Sequence, residues 1–189
     1  MANEFGLLAT LFHYPTEGYL DNAVRSFEAL AAGSHEFIEP FAKFLEQVHS
    51  LAVEDLQVLY TTTFDLDPVC SLEVGWHLFG ENYERGEFLV RMRGELQRLG
   101  VKESTELPDH LSHALEALDR MEPDEAADFA AACLAPALDK MMLGIKGKSN
   151  LFENLLLAAT QLLELRYARP MAATRSAEPT FRILSSEGW

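Results

Sequence analysis

The chain of 189 residues is poor in cysteine: Cys70 and Cys133 are the only two, and no Cys-x-x-Cys pair exists. That excludes a disulfide framework and a cysteine-rich zinc site, and it suits a reducing compartment. Long apolar runs are missing too. The best candidate, Leu151 to Leu165, is interrupted by Glu153, Asn154, Gln161 and Glu164, so it falls short of the ~20 apolar residues a membrane span needs. The amino terminus, MANEFGLLATLFHYP, has neither the basic stretch nor the small-residue cleavage site of a secretory signal. A cytoplasmic protein with no direct membrane insertion is expected.

Basic residues are outnumbered, with 15 Lys and Arg against 30 Asp and Glu and a formal net charge of -15. Such an excess of acid repels nucleic-acid phosphate, so no nucleic acid partner is expected. It suits a basic peptide partner, and it suits plain solubility equally well. Strand-like alternation, Asn-Gly hairpins, fixed-period repeats and low-complexity blocks are also lacking.

What is present is helical periodicity. Phe5, Leu8, Leu11 and Phe12 follow Asn3, a candidate cap, and Pro15 ends the run. Leu20, Val24, Phe27 and Leu30 mark a second apolar face. Ile38, Phe41, Phe44 and Val48 mark a third, with Ser34 as its cap and Pro40 tolerated only in a first turn. Leu56, Leu59 and Tyr60 belong to a fourth. After Pro68 the pattern predicts a short helix near 71–80 and a longer one near 82–99, stopped by Gly100. Pro108 suits the first turn of a helix reaching Met121, and Pro123 begins another that Pro136 kinks or divides. Asn150 caps a last helix ending near Tyr167. The expectation is an all-α fold: one globular domain over 1–167 of about seven to nine helices packed ridges into grooves, followed by a poorly ordered tail over 168–189.

Catalytic motifs fail one by one. Gly144-Ile-Lys-Gly147-Lys148-Ser149 ends like a phosphate loop, but Met142 stands where the pattern requires glycine, and helix precedes it where a strand belongs. Glu46-Gln-Val-His49 is a single Glu-x-x-His, whereas a di-iron bundle needs two plus further glutamates. Glu73 with His77, Glu106 with His110, and His110 with His113 are two-ligand fragments of the kind chance supplies. Cys70 near His77 has the residue types of a thiolate pair, but it sits between apolar neighbours with no third orienting group. No catalyst is expected. A small helical metalloprotein or enzyme using Glu46, His49 and nearby carboxylates stands as the alternative.

The densest crowding of aromatic, acidic, histidine and cysteine side chains lies between Asp65 and Gly100. Cys-Ser-Leu-Glu-Val-Gly-Trp-His-Leu-Phe-Gly-Glu (Cys70 to Glu81), followed by Arg85-Gly86 and Phe88-Leu89-Val90, resembles the nitrate reductase delta-subunit, or NarJ-type, assembly chaperones. So do Glu106-Leu-Pro-Asp-His-Leu111 with Leu115-Glu116, the segment ending in Phe64-Asp65, and Leu11-Phe12 with Tyr14-Pro15. The likeness spans roughly Leu7 to Met121. It implies an all-helical chaperone of the NarJ/TorD/DmsD group. Such a protein binds the catalytic, molybdenum-containing subunit of an iron-sulfur oxidoreductase, often at its amino-terminal peptide, and holds it for cofactor insertion. The molybdenum bis-guanine-dinucleotide cofactor then belongs to the client and is not bound stably by the chaperone, and the insertion machinery is a further partner. Trp76 and Tyr83 make the motif more aromatic than the commonest nitrate reductase pattern, so related oxidoreductases stay among the clients. A stable accessory subunit is the other reading.

A client peptide folded as an amphipathic helix needs an apolar groove with a charged rim. Trp76, Phe79 and Tyr83 have the spacing to line one, which is equally the spacing of core packing. Glu73, Glu81, Glu84 and Glu87 are candidates to pair with client arginines or lysines, and His77 lies among them. Arg85 either joins that face or bridges acidic neighbours. Asp109 is expected at the positive end of a helix begun by Pro108. His110 is either a pH-sensitive contact or a partly buried hydrogen-bonded ring. Gly86 and Gly94 each cost their helix ~1 kcal/mol relative to alanine, which close approach of another helix or peptide would explain.

Overall fold

The structure, a computed structural model, describes residues 3–31 and 37–167. Among these the chain forms ten α-helical segments and no strand. They are α1 (Glu4–Ala9), α2 (Tyr19–Ala31), α3 (Ile38–His49), α4 (Val53–Tyr60), α5 (Val74–Phe79), α6 (Tyr83–Leu99), α7 (Leu111–Leu118), α8 (Pro123–Phe129), α9 (Ala135–Ile145) and α10 (Phe152–Arg166). A π turn, Ala130–Leu134, joins α8 to α9 without a break, so nine continuous helices result. This is the all-α domain expected from the periodicity. The tail expected from 168 onward and the Ser34 cap lie outside the described residues.

The apolar stretch that was too short for a membrane became the central helix. Leu155, Leu156, Ala158, Ala159 and Leu162 of α10 are all fully buried, a broad apolar face turned to the core, while Glu164, Leu165 and Arg166 reach solvent. It packs against α3 and α9. Phe152 at its start meets Phe44, Tyr60 and Phe64 with ring centroids 6.1, 5.8 and 4.9 Å away, an aromatic cluster that joins α3, α4 and α10. The hydroxyls of Tyr19 and Tyr60, both buried, donate to the carbonyls of Leu11 and Phe12 at 2.6 and 2.9 Å. They tie the short first helical stretch to the core.

Several helix ends differ from the sequence reading. Asn3 stands at the N-cap of α1 but makes no capping bond; Asp119, just past α7, accepts from the Gly6 amide instead. Pro40 does lie in the first turn of α3, which begins at Ile38. Pro108 does not start α7. That helix begins at Leu111, and His110 caps it, its Nδ1 accepting from the Ser112 amide at 3.3 Å. The interruption expected at Pro136 falls one turn earlier, in the π turn, whose wider loop absorbs the missing amide. Asn150 does cap α10, accepting from Phe152 N at 3.0 Å.

Candidate functional site

The two sequence motifs meet in space. Leu72 to Val74 and Asp109 to Leu111 run antiparallel for one bridge between Glu73 and His110. Val74 N donates to Asp109 O at 2.9 Å, and Leu111 N donates to Leu72 O at 2.8 Å. This clamp sets α5 directly against the start of α7. Asp109 is fully buried beneath α5, and its Oδ2 accepts from the Gly75 amide at 2.8 Å. Asp109 therefore sits at the positive end of α5, not of α7 as expected. Its carboxyl is pushed above the usual range by burial, against the pull of the Gly75 amide and of Arg85.

Three of the named residues face inward. His77 is buried, with Nε2 2.7 Å from Ser71 O, and burial lowers its pKa. Lys140 Nζ donates to its carbonyl. His110 is buried with Nδ1 2.8 Å from Ser112 Oγ; burial, then His113 and His13, bring its pKa down to about 3. Its ring stacks on His13 at 6.4 Å and meets His113 edge-on at 6.1 Å. His110 is thus the hydrogen-bonded interior ring of the two readings. Asp109 is the third.

The others are half-buried or exposed. Trp76 is half-buried, and its Nε1 donates to Pro68 O at 2.8 Å. Phe79 lies against Phe88 with centroids 5.4 Å apart. Tyr83 is 81% exposed, which removes it from the core. Glu81, Glu84 and Glu87 are exposed, and Glu87 reaches Arg91 at 3.6 Å. Glu73 is half-buried with its pKa raised by burial. Arg85 bridges the two groups, its guanidinium carbon 5.3 Å from the Trp76 ring centroid.

Sequence reasoning missed the opposite wall. A groove of about 570 Å³ runs beside Trp76 and Phe79, with Val69, Lys140 and Leu143 as its far side. Leu66, Val69 and Leu143 are 71%, 59% and 77% exposed. The only signal in the sequence was Leu143 standing off the apolar stripe of its own helix. A second hollow, about 560 Å³, lies at the corner of α1, α7, α8 and α10, between Phe5, Leu118 and Tyr167. The Glu4–Arg166 fork, two bonds of 2.6 Å, stands at its edge. None of the motif residues line it.

Geometry places the residues of the incomplete motifs as follows. Cys70 is buried, its thiol pushed up to about 12, with Sγ 3.8 Å from Met141 O, so it is not a thiolate at neutral pH. Gly144 is the closest approach of α9 to the Val69 connection, and Lys148 pairs with Asp67 at 2.9 Å. The Gly147 amide is taken by Glu153, leaving no phosphate cradle there. Glu46 and His49 are both exposed on α3, and among the described residues no three His, Cys, Asp or Glu side chains converge as a metal donor set. Among the described residues, no helix is long and apolar enough to cross a membrane.

Comparison with known proteins agrees with this architecture. A crystal structure from Archaeoglobus fulgidus, described as a redox enzyme maturation protein, superposes with a TM-score of 0.61 over 87% of this chain and 94% of that one, at 23% identity. It has the same fold. Two Escherichia coli proteins, each named nitrate reductase molybdenum cofactor assembly chaperone NarJ, are 30% identical over 129 residues, or 66% of this chain and 55% of theirs. The chain thus matches little more than half the length of these relatives. The family model of the nitrate reductase delta subunit matches residues 27–144, which takes in α5, α6, α7 and the clamp between them. The chain belongs to the nitrate reductase delta-subunit family.

Proposed function

We propose that this protein is an assembly chaperone in the cytoplasm. It binds the catalytic subunit of a molybdenum iron-sulfur oxidoreductase, nitrate reductase or a relative, at its amino-terminal peptide. It holds that subunit for insertion of the molybdenum cofactor, which belongs to the client. Family membership and the names of the relatives support the class. The observation that carries the binding mode is the α5–α6 face: half-buried Trp76 and Phe79 beside Tyr83 at 81% exposure, rimmed by exposed Glu81, Glu84 and Glu87.

An amphipathic peptide helix fits such a face, its apolar side on the aromatics and its basic residues toward the rim. Exposed ion pairs contribute only ~0–1 kcal/mol each, so apolar burial supplies most of the affinity. Charge sets orientation and association rate. Asp109 acts from beneath through the Gly75 amide, and the Glu73–His110 bridge holds α5 against the start of α7.

Calorimetry with the amino-terminal peptide of the captured client tests this. Trp76→Ala is expected to weaken binding at least tenfold while circular dichroism shows an intact fold. Unchanged affinity would remove the face from the binding site.

A further inference from the structure

Among the described residues, Asp109 Oδ1 and Arg85 Nε are both buried without a hydrogen-bond partner. Asp109 is 0% exposed and uses its other oxygen on Gly75. Arg85 lies in the first turn of the 17-residue α6, where the helix dipole and the free amides disfavour a cation. An arginine there needs compensation, and its surroundings supply it. The guanidinium lies over the Trp76 ring, and its charge favours ionisation of both Glu73 and Asp109 against the burial that opposes it. An indole face on α5, with the Glu73 and Asp109 carboxyls on the bridged segments at the start of that helix, has the elements of a receptor for a cationic side chain. Here the chain fills that receptor itself, and incompletely, since the orphaned atoms do not pair.

We propose that Trp76, Glu73 and Asp109 form a receptor for a guanidinium or ammonium group of the client peptide, and that Arg85 is its internal occupant, displaced on binding. This rests on the reading of the α5–α6 face as the client-binding face. An internal occupant lowers apparent affinity by the fraction of molecules in which the site is open. It also sets specificity, because an uncharged side chain has nothing with which to displace Arg85.

The probe is N-acetyl-arginine amide, titrated against nitrogen-15-labelled protein while the Trp76 indole signal is followed; Trp189→Phe removes the only other indole. Arg85→Gln is expected to bind the probe about tenfold tighter than the parent, as for a site open one-tenth of the time. Arg85→Lys, which keeps a cation in place, should bind it as the parent does. The citrulline counterpart should shift the indole signal in none of them. Glu73→Gln, and Asp109→Asn if it folds, should each cancel the gain when combined with Arg85→Gln. Equal probe affinity in Arg85→Gln and the parent overturns the proposal, as does an undiminished gain with Glu73→Gln. The probe result does not depend on the peptide: loss of peptide binding with the probe effect intact overturns the client reading alone, and the reverse overturns the internal occupant alone.

Discussion

Asp109 Oδ2 lies 2.8 Å from the amide of Gly75, 34 residues away, so a carboxylate from the segment before α7 caps the first turn of α5. Asp119 repeats the device at the other end of α7, accepting from the Gly6 amide of α1. Glu73 and Asn3, at the N-cap positions of those helices, make no capping bonds with their own side chains. Short helices of six residues are marginal alone, and these two are held by acceptors brought in from elsewhere in the chain.

Asp109→Ala is therefore expected to cost about 1–3 kcal/mol, the loss of a cap plus an unsatisfied amide. Asp109→Asn, which keeps an acceptor, should cost less. Urea denaturation with a shared slope measures both. Equal losses for the two variants would mean the carboxylate charge, rather than the acceptor, holds α5.

Four glycines divide into two pairs. A Cβ on Gly75 would lie 2.7 Å from Asp109 Oδ2, and one on Gly144 2.5 Å from Val69 O. Gly75→Ala and Gly144→Ala are each expected to destabilise by about 1–3 kcal/mol through overpacking. Gly86 and Gly94 of α6 have nothing within 4 Å of the corresponding position. Alanine there should stabilise by about 0.5–1 kcal/mol, the ordinary helix preference. Thermal melting of the four variants checks the split, and a loss at Gly86 or Gly94 would refute the assignment of open space.

Stability should fall on acidification. His110 is held neutral with its pKa near 3, and His77 and His13 are lowered mainly by burial, whereas each returns to about 6.5 on unfolding. Below that value the unfolded chain binds protons that the folded chain refuses, so the histidine contribution is full above it and declines as the pH drops. Each histidine kept neutral costs about 1.4 kcal/mol per pH unit in that range. Glu73 and Asp109 have raised pKa values, so near their own titration the folded chain protonates first and the decline slackens. His110→Asn keeps a good capping residue and should flatten the profile of urea midpoint against pH. Parallel profiles would show that His110 does not contribute.

The acidic rim should act on rate. Replacing Glu81, Glu84 and Glu87 together by glutamine is expected to lower the association rate of a basic client peptide several-fold, with dissociation little changed. Stopped-flow measurements at two ionic strengths check this. A parent rate already insensitive to salt would dismiss the rim.

Much of the fold was legible because helical periodicity is a local property. The stripe Phe41, Phe44, Val48 and the run Leu155, Leu156, Leu162 announce buried faces without knowledge of what covers them. The start of α7 was misread because Pro108 is compatible with a first turn; it instead sits in a separate turn in which His110 N donates to Leu107 O at 3.0 Å, and the bridge to Glu73 delays the helix to Leu111. In the candidate site, the spacing of Trp76, Phe79 and Tyr83 was visible, but the face was not. Tyr83 at 81% exposure and Phe79 against Phe88 share that spacing and have opposite surroundings. The far wall, Val69 and Leu143, was invisible because 74 residues of chain separate its two sides.

The sequence by itself determined the helical class, the acid excess and the scarcity of cysteine and of long apolar runs, since composition and short-range periodicity carry these. Tertiary structure alone decided which polar groups of the Asp65–Gly100 stretch and of the Glu106–Leu111 motif are interior props and which are presented to solvent. Asp109 is spent on the Gly75 amide, brought to it by a segment 34 residues away, whereas His110 and His77 take near neighbours, Ser112 Oγ and Ser71 O. A buried polar group must find its partner wherever the fold supplies one. For Asp109 that partner is a fact of packing, which no spacing along the chain records.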